Sequence, residues 1–220
     1  MSEHLRREID KLKKKILHLG TVVEEGMQKG VQALLQRNEA LAREVVESDI
    51  KIDQMEVDVE EECLKLLALY QPVAIDLRFI VAVLKLNSDL ERIGDLSVNV
   101  AERALFLAGH EPVDIPFDFA GMAQKAQSML KESLDALVNT DASLAEEIRE
   151  ADDKMDAMNR EMYRKAEQAI REHPEQLERL IHLVSASRNL ERIADHATNI
   201  AEDVIYMTEG RIVRHGTGSP

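Results

Sequence analysis

Four pairs of acidic side chains recur along this chain, each pair four residues apart: Asp49/Asp53, Glu91/Asp95, Asp152/Asp156 and Glu191/Asp195. On a helix, a four-residue step puts both carboxylates on one face, one turn apart. Asn99 and Asn199 continue the stripes of Asp95 and Asp195 by four, and Glu102 and Glu202 follow three later. Like charges at this spacing cost a helix roughly 0.2–0.5 kcal/mol per pair. Two such helices side by side would bring four carboxylates together, and something positive must balance them. Arg92 and Arg192 are near in sequence, but each is expected to project about 100° from the adjacent Glu. A bound cation is the sharper explanation. Oxygen-only donors favour hard ions such as magnesium, calcium, manganese or iron. Zinc is compatible but not signalled, because no Cys or His cluster accompanies the carboxylates. The plain alternative is a solvated acidic face, and the repetition of the pairs is what weighs against it.

Other chemistry is poorly represented. His196 follows Asp195, but its repeat equivalent is Leu96, which makes it a weaker ligand candidate than the carboxylates. No His stands three residues after a Glu, so the Glu-x-x-His element of ferritin-like di-iron sites is absent from the sequence. No residue pattern nominates Ser-His-Asp or Cys-His catalysis. No glycine-rich phosphate loop is present. Cys63 falls on an apolar helical position and is expected in the core.

The elements that must position these carboxylates are helices. Of 220 residues, 45% are hydrophobic, enough for a real core, and 32% are charged, as in chains of long helices. Aromatics are only 3%, with no Trp, which disfavours a β-sandwich or barrel. Lys plus Arg is 28 and Asp plus Glu is 42, a formal charge of −14. Such a surface argues against nucleic acid as the main partner. The single cysteine forbids an intrachain disulfide. The first residues, MSEHLRREIDKLKKK, lack the apolar core of a signal peptide. The longest apolar run, Phe79–Leu84, is far short of the roughly 20 residues a membrane helix needs. The expectation is a soluble cytoplasmic protein, not inserted in a membrane.

Proline marks the breaks, and the gaps between prolines carry helical periodicity, as in Ile52, Met55, Val59, Cys63 and Leu66. Six helices are expected: about Leu5–Arg37; a second capped by Asn38 and reaching Tyr70; a third with Pro72 in its first turn and its end near Gly109; Asp118–Asn139; a fifth capped by Asp141 and stopping before Pro174; and a sixth to Gly210. Gly109 to Phe117, with Pro112 and Pro116, is the linker. Gly26 and Gly30 lie inside the first helix, where they either permit close helix approach or are merely tolerated. The chain also repeats itself. LERIGDLSVNVAE from Leu90 matches LERIADHATNIAE from Leu190, and ALLQRNEALAREVVESDIKID from Ala33 matches ALVNTDASLAEEIREADDKMD from Ala136. The fold expected is all-α, two tandem three-helix bundles related by an approximate two-fold. Their bounds would be 1–109 and 118–210, with a flexible tail at 211–220.

The segment QPVAIDLRFIVAVLKLNSDLERIGDLSVNVAE and its partner NLERIADHATNIAEDVIYMTEG resemble the PhoU family of bacterial phosphate-signalling regulators. The resemblance covers nearly the whole chain. It implies metal ions (iron, manganese, magnesium or zinc) held by E(D)xxxD motifs, which map onto Glu91, Asp95, Glu191 and Asp195, with Asp49/Asp53 and Asp152/Asp156 also fitting. It further implies a homodimeric negative regulator of the phosphate regulon, acting in the cytoplasm. Its partners would be the Pst phosphate ABC transporter, through the ATPase subunit, and a PhoR-type sensor histidine kinase. The residues and the resemblance together describe an adaptor that modulates phosphate uptake rather than a catalyst. Two rivals are a metalloenzyme using clustered metals for hydrolysis or redox chemistry, and a helical scaffold without metal.

Overall fold

Three of the helices begin where a side chain replaces a missing backbone partner. The computed structural model describes residues 3–113 and 117–213. Its elements are α1 (Glu3–Gln36), α2 (Glu39–Tyr70), α3 (Ala74–Ala108), α4 (Phe119–Asn139), α5 (Ala142–Glu172) and α6 (Leu177–Glu209), with a 3-10 turn at Pro174–Gln176. There is no strand among the described residues. Asn38 and Asp141 cap α2 and α5, accepting the amides of Leu41 and Leu144 at 3.1 Å. Asp118 accepts that of Gly121 at 2.8 Å and caps α4. Gly210 closes α6 at φ 72°, a conformation glycine adopts without strain. The linker's Pro116 and the tail beyond Val213 lie outside the described residues.

One boundary departs from expectation. Pro72 is not in the first turn of α3; Val73 is the N-cap, extended at φ −130° and ψ 162°, and the helix starts at Ala74. Pro72 is buried in the connector instead. The α2 helix ends with Gln71 in the left-handed region, and its amide closes onto the Leu67 carbonyl at 3.2 Å. The chain must then reverse, and it does so through an extended Pro-Val step that proline's fixed φ suits.

The helices form two three-helix bundles, α1–α3 and α4–α6. α3 and α6 are the inner helices and pack along each other. They run antiparallel. Lys85 near the start of α3 reaches Asp203 near the end of α6 at 3.5 Å. Asp89 meets His196 and Asn199 at 2.8 and 3.2 Å. At the other end, Phe106 stacks on His182 with ring centroids 3.6 Å apart. α1 also packs on α4, and one hydrophobic core runs unbroken through both bundles. Cys63 lies within it, fully buried, where loss of solvent pushes its thiol up to about 12.

The two α1 glycines separate cleanly. A Cβ at Gly30 would stand 3.1 Å from the backbone carbonyl oxygen of Ser97, so α1 and α3 touch there through glycine. A Cβ at Gly26 would meet nothing within 4 Å. At Gly94, in the first LERI segment, a Cβ would press on Ile52 at 3.1 Å. The second segment has Ala194 at this place, and the repeat equivalent of Ile52 is the unbranched Met155.

Gly26→Ala is therefore expected to stabilise the protein by about 0.5–1 kcal/mol, the helix preference of Ala over Gly. Gly30→Ala forfeits that gain, because a backbone carbonyl cannot rotate away, and should lower the denaturation midpoint. Urea unfolding of the two variants beside the parent decides it; equal midpoints for both would refute the close-approach reading of Gly30.

Candidate metal centre

The four acidic pairs come together as two clusters, one per bundle. In the second bundle, α5 supplies Asp152 and Asp156, and α6 supplies Glu191 and Asp195. Asp156, Glu191 and Asp195 offer carboxylate oxygens that all lie within 4.8 Å of one another, the one such triad among the described residues. Asp152 stands beside them and feels the charges of Asp156 and Glu202. Apolar neighbours fix these directions: Met155 on α5 and Leu190 and Ile193 on α6 are buried, so the intervening acids point along the seam between the helices.

In the first bundle, α2 supplies Asp49 and Asp53, and α3 supplies Glu91 and Asp95. Asp49 feels the charges of Asp53 and Asp95, and Glu91 those of Asp95 and Asp53. This cluster has a fifth member that sequence spacing did not single out. Glu56 lies three residues after Asp53 and joins both Glu91 and Asp53 electrostatically. Its carboxylate and backbone carbonyl accept the buried Asn87 amide at 3.0 and 2.9 Å. The signal was its seven-residue step from Asp49. What hid it is that the repeat equivalent is Asn159, which accepts Ser187 at 2.9 Å instead.

One of the two expected arginines behaves differently. Arg92 does not project away: it curls back to Asp95 at 3.1 Å and to Glu91 at 3.5 Å. Its long stem covers the angle that the backbone position imposes. Arg160 similarly reaches Asp156 at 3.2 Å. These exposed pairs are worth about 1 kcal/mol or less each and leave both clusters strongly anionic.

The outlying candidates are placed elsewhere. His196 and Asn199 turn to Asp89 on α3. Glu202 receives Arg149 at 3.4 Å and remains within electrostatic reach of Asp152. Glu102 is exposed and paired with Arg103 at 2.9 Å, and Asn99 is half-buried.

Electrostatics record the crowding. Burial first, then the neighbouring Asp53 and Asp95, raise the Asp49 carboxyl. Burial, then Asp95, raises Glu91; burial, then Glu60, raises Glu56. Burial and then Asp156 raise both Asp152 and Glu191. Desolvation against the helix wall, then Glu191, Asp152 and Asp156, push Asp195 up to about 6. Asp49 Oδ1 is a buried oxygen with no hydrogen-bond donor. An orphaned acceptor, oxygen-only donors and carboxyls that resist ionisation all fit a hard cation. Asp53 and Asp195 are exposed, so each cluster opens on the surface rather than at the base of a deep cleft.

The sign of the pH effect follows. A carboxyl that holds its proton more tightly when folded stabilises the fold most below its unfolded value, 3.8 for Asp195, and loses that contribution as pH rises through about 6. Glu8, Glu146 and Glu161 are shifted the opposite way by their cations, so the comparison must be between variants. In chelator-stripped protein, Asp195→Asn should raise Tm at neutral pH and flatten its fall across this window. A Tm–pH curve parallel to that of the parent would count against the crowding argument.

The PhoU domain matches this chain twice, over residues 6–104 and 119–204, the two bundles. The chain is 38% identical to a protein of Aquifex aeolicus over 96% of each; that relative is named phosphate-specific transport system accessory protein PhoU homolog. The crystal structure of PhoU from Pseudomonas aeruginosa superposes with a TM-score of 0.90 at 36% identity, covering 94% of this chain and 99% of that one. The phosphate transport system regulatory protein PhoU of Streptococcus pneumoniae superposes at 0.84 with 28% identity, over 95% and 99%. With the domain matched in both halves and the helices superposing throughout, the chain belongs to the PhoU family.

Proposed function

We infer that this protein is a negative regulator of the phosphate regulon, a cytoplasmic metal-binding adaptor between the Pst phosphate transporter and a PhoR-type sensor histidine kinase. The observation that carries the reading is the pair of surface carboxylate clusters, one per repeat. Its relatives bear the name of phosphate-specific transport accessory proteins, which supports a role beside a phosphate transporter. No described helix is long and apolar enough to cross a membrane. The adaptor would therefore meet its membrane partners through their parts outside the bilayer.

Asp49, Asp53, Glu91 and Asp95 would hold metal in the first bundle, and Asp152, Asp156, Glu191 and Asp195 in the second, with Glu56 added to the first. Bound cations would supply positive charge where α2 meets α3 and α5 meets α6, and open coordination positions for a partner's oxygen ligands. The chain's own carboxylates would hold α2 against α3, and α5 against α6, at a fixed spacing once their repulsion is cancelled. We assign no catalysis. A shallow, exposed cluster suits docking better than a reaction that must exclude water.

Metal analysis of untagged protein should find stoichiometric metal, absent from a variant with Glu91, Asp95, Glu191 and Asp195 all changed to Ala. No metal in either protein after reconstitution with iron, manganese, magnesium or zinc would leave an acidic surface without a cofactor. Copurification with the ATPase subunit of the phosphate transporter and with the kinase from the same genome tests the adaptor role. Binding to neither partner, with or without phosphate, would end it.

A further inference from the structure

The outer face of α2 carries an apolar stripe that the fold does not need. Ile50, Val57 and Leu64 are 77%, 42% and 54% exposed, and they stand at successive seven-residue steps. Seven residues are nearly two turns, so the three lie in one row about 21 Å long. Scattered exposed apolar residues are ordinary; three in one heptad-spaced row are not. The internal repeat supplies a control. The equivalent places on α5 hold Asp153, Arg160 and Glu167, and α5 packs in the second bundle as α2 does in the first. Polar side chains therefore serve this position of the fold equally well.

The flanks of the row indicate what would cover it. Asp53 and Glu60 border it on the side of the carboxylate cluster, and Glu61 borders it on the other; all three are exposed. A second copy of this chain would set acid against acid, on a molecule already at −14. A helix with apolar residues at heptad spacing and Lys or Arg on both flanks would satisfy the row and its borders together.

We propose that the exposed α2 face, Ile50, Val57 and Leu64 with Asp53, Glu60 and Glu61, is a docking surface for a basic amphipathic helix of a partner protein. This rests on the adaptor reading and gives it a surface. The row lies alongside the first carboxylate cluster, with Asp53 common to both.

The probe is a synthetic helical peptide of about 21 residues with Leu at a and d and Arg at e and g, and its twin with Glu at e and g. Fluorescence anisotropy should show the Arg peptide bound by the parent protein and weakened at least about tenfold by Ile50→Ser/Val57→Ser/Leu64→Ser, which removes the apolar anchors. The Glu twin should not bind. Glu60→Gln/Glu61→Gln should weaken the Arg peptide and reduce its salt dependence. Asp153→Ser/Arg160→Ser/Glu167→Ser on α5 should bind as the parent does. Circular dichroism checks that each variant folds. No binding by the parent, equal binding by the triple Ser variant on α2, or equal binding of the Glu twin would overturn the proposal. So would a self-association of the parent, seen in sedimentation, that the same α2 substitutions abolish. Each failure leaves the metal and copurification results untouched, so the adaptor reading and this surface stand or fall separately.

Discussion

The antiparallel packing of α3 on α6 governs the rest of the molecule. These two helices carry the LERI segments, and their apolar sides, with Leu90, Ile93, Leu190 and Ile193, are buried in the common core. Once that face is committed inward, Glu91 and Asp95 on one helix, and Glu191 and Asp195 on the other, must lie toward the neighbouring helix of their own bundle. α2 and α5 then approach with acids of their own. The same pairing sets the ends of the molecule, through Lys85 with Asp203 at one end and Phe106 with His182 at the other.

This geometry has an electrostatic cost, and the chain meets it incompletely by itself. Every shifted carboxyl in the two clusters is shifted upward, with burial as the first cause. Arg92 and Arg160 lean in from solvent, but long exposed side chains in water neutralise little. A site so arranged is poised for a cation and for partner groups that bring positive charge. The carboxylates and the core beneath them occupy the same helical turns, so local charge and helix spacing are linked. That linkage is what an adaptor would need in order to convert occupancy of a surface site into a change of docking face.

The two halves are not copies in their polar positions. Glu56 adds a carboxylate to the first cluster where the second has Asn159 bonded to Ser187. His196 replaces Leu96 and is drawn across to Asp89, whose own repeat equivalent is Asn189. The apolar row on α2 is answered by charges on α5. The backbone repeats, while the polar positions differ: the half-buried and buried ones exchanged one set of hydrogen bonds for another, and the exposed ones on α2 and α5 are not constrained by packing.

Helix number, type and order were legible in the sequence, because proline spacing, caps at Asn38 and Asp141 and apolar periodicity are local signals. The carboxylate pairs were legible too, since a four-residue step has one meaning on any helix. The repeat even carried the bundle architecture, as short connections leave three consecutive helices few ways to pack. Tertiary structure alone decided the rest. It buried Pro72 in a connector, because where a chain reverses depends on what it must reach. It showed Gly30 to be a contact and Gly26 a tolerated residue, a difference set by how near α3 passes. It curled Arg92 onto its own acids, gathered Glu56 into the cluster and sent His196 to Asp89, since flexible side chains answer to charges far away in sequence. Sequence determines what each helix face offers; only the packing of one helix on another determines which faces meet and which are left to a partner.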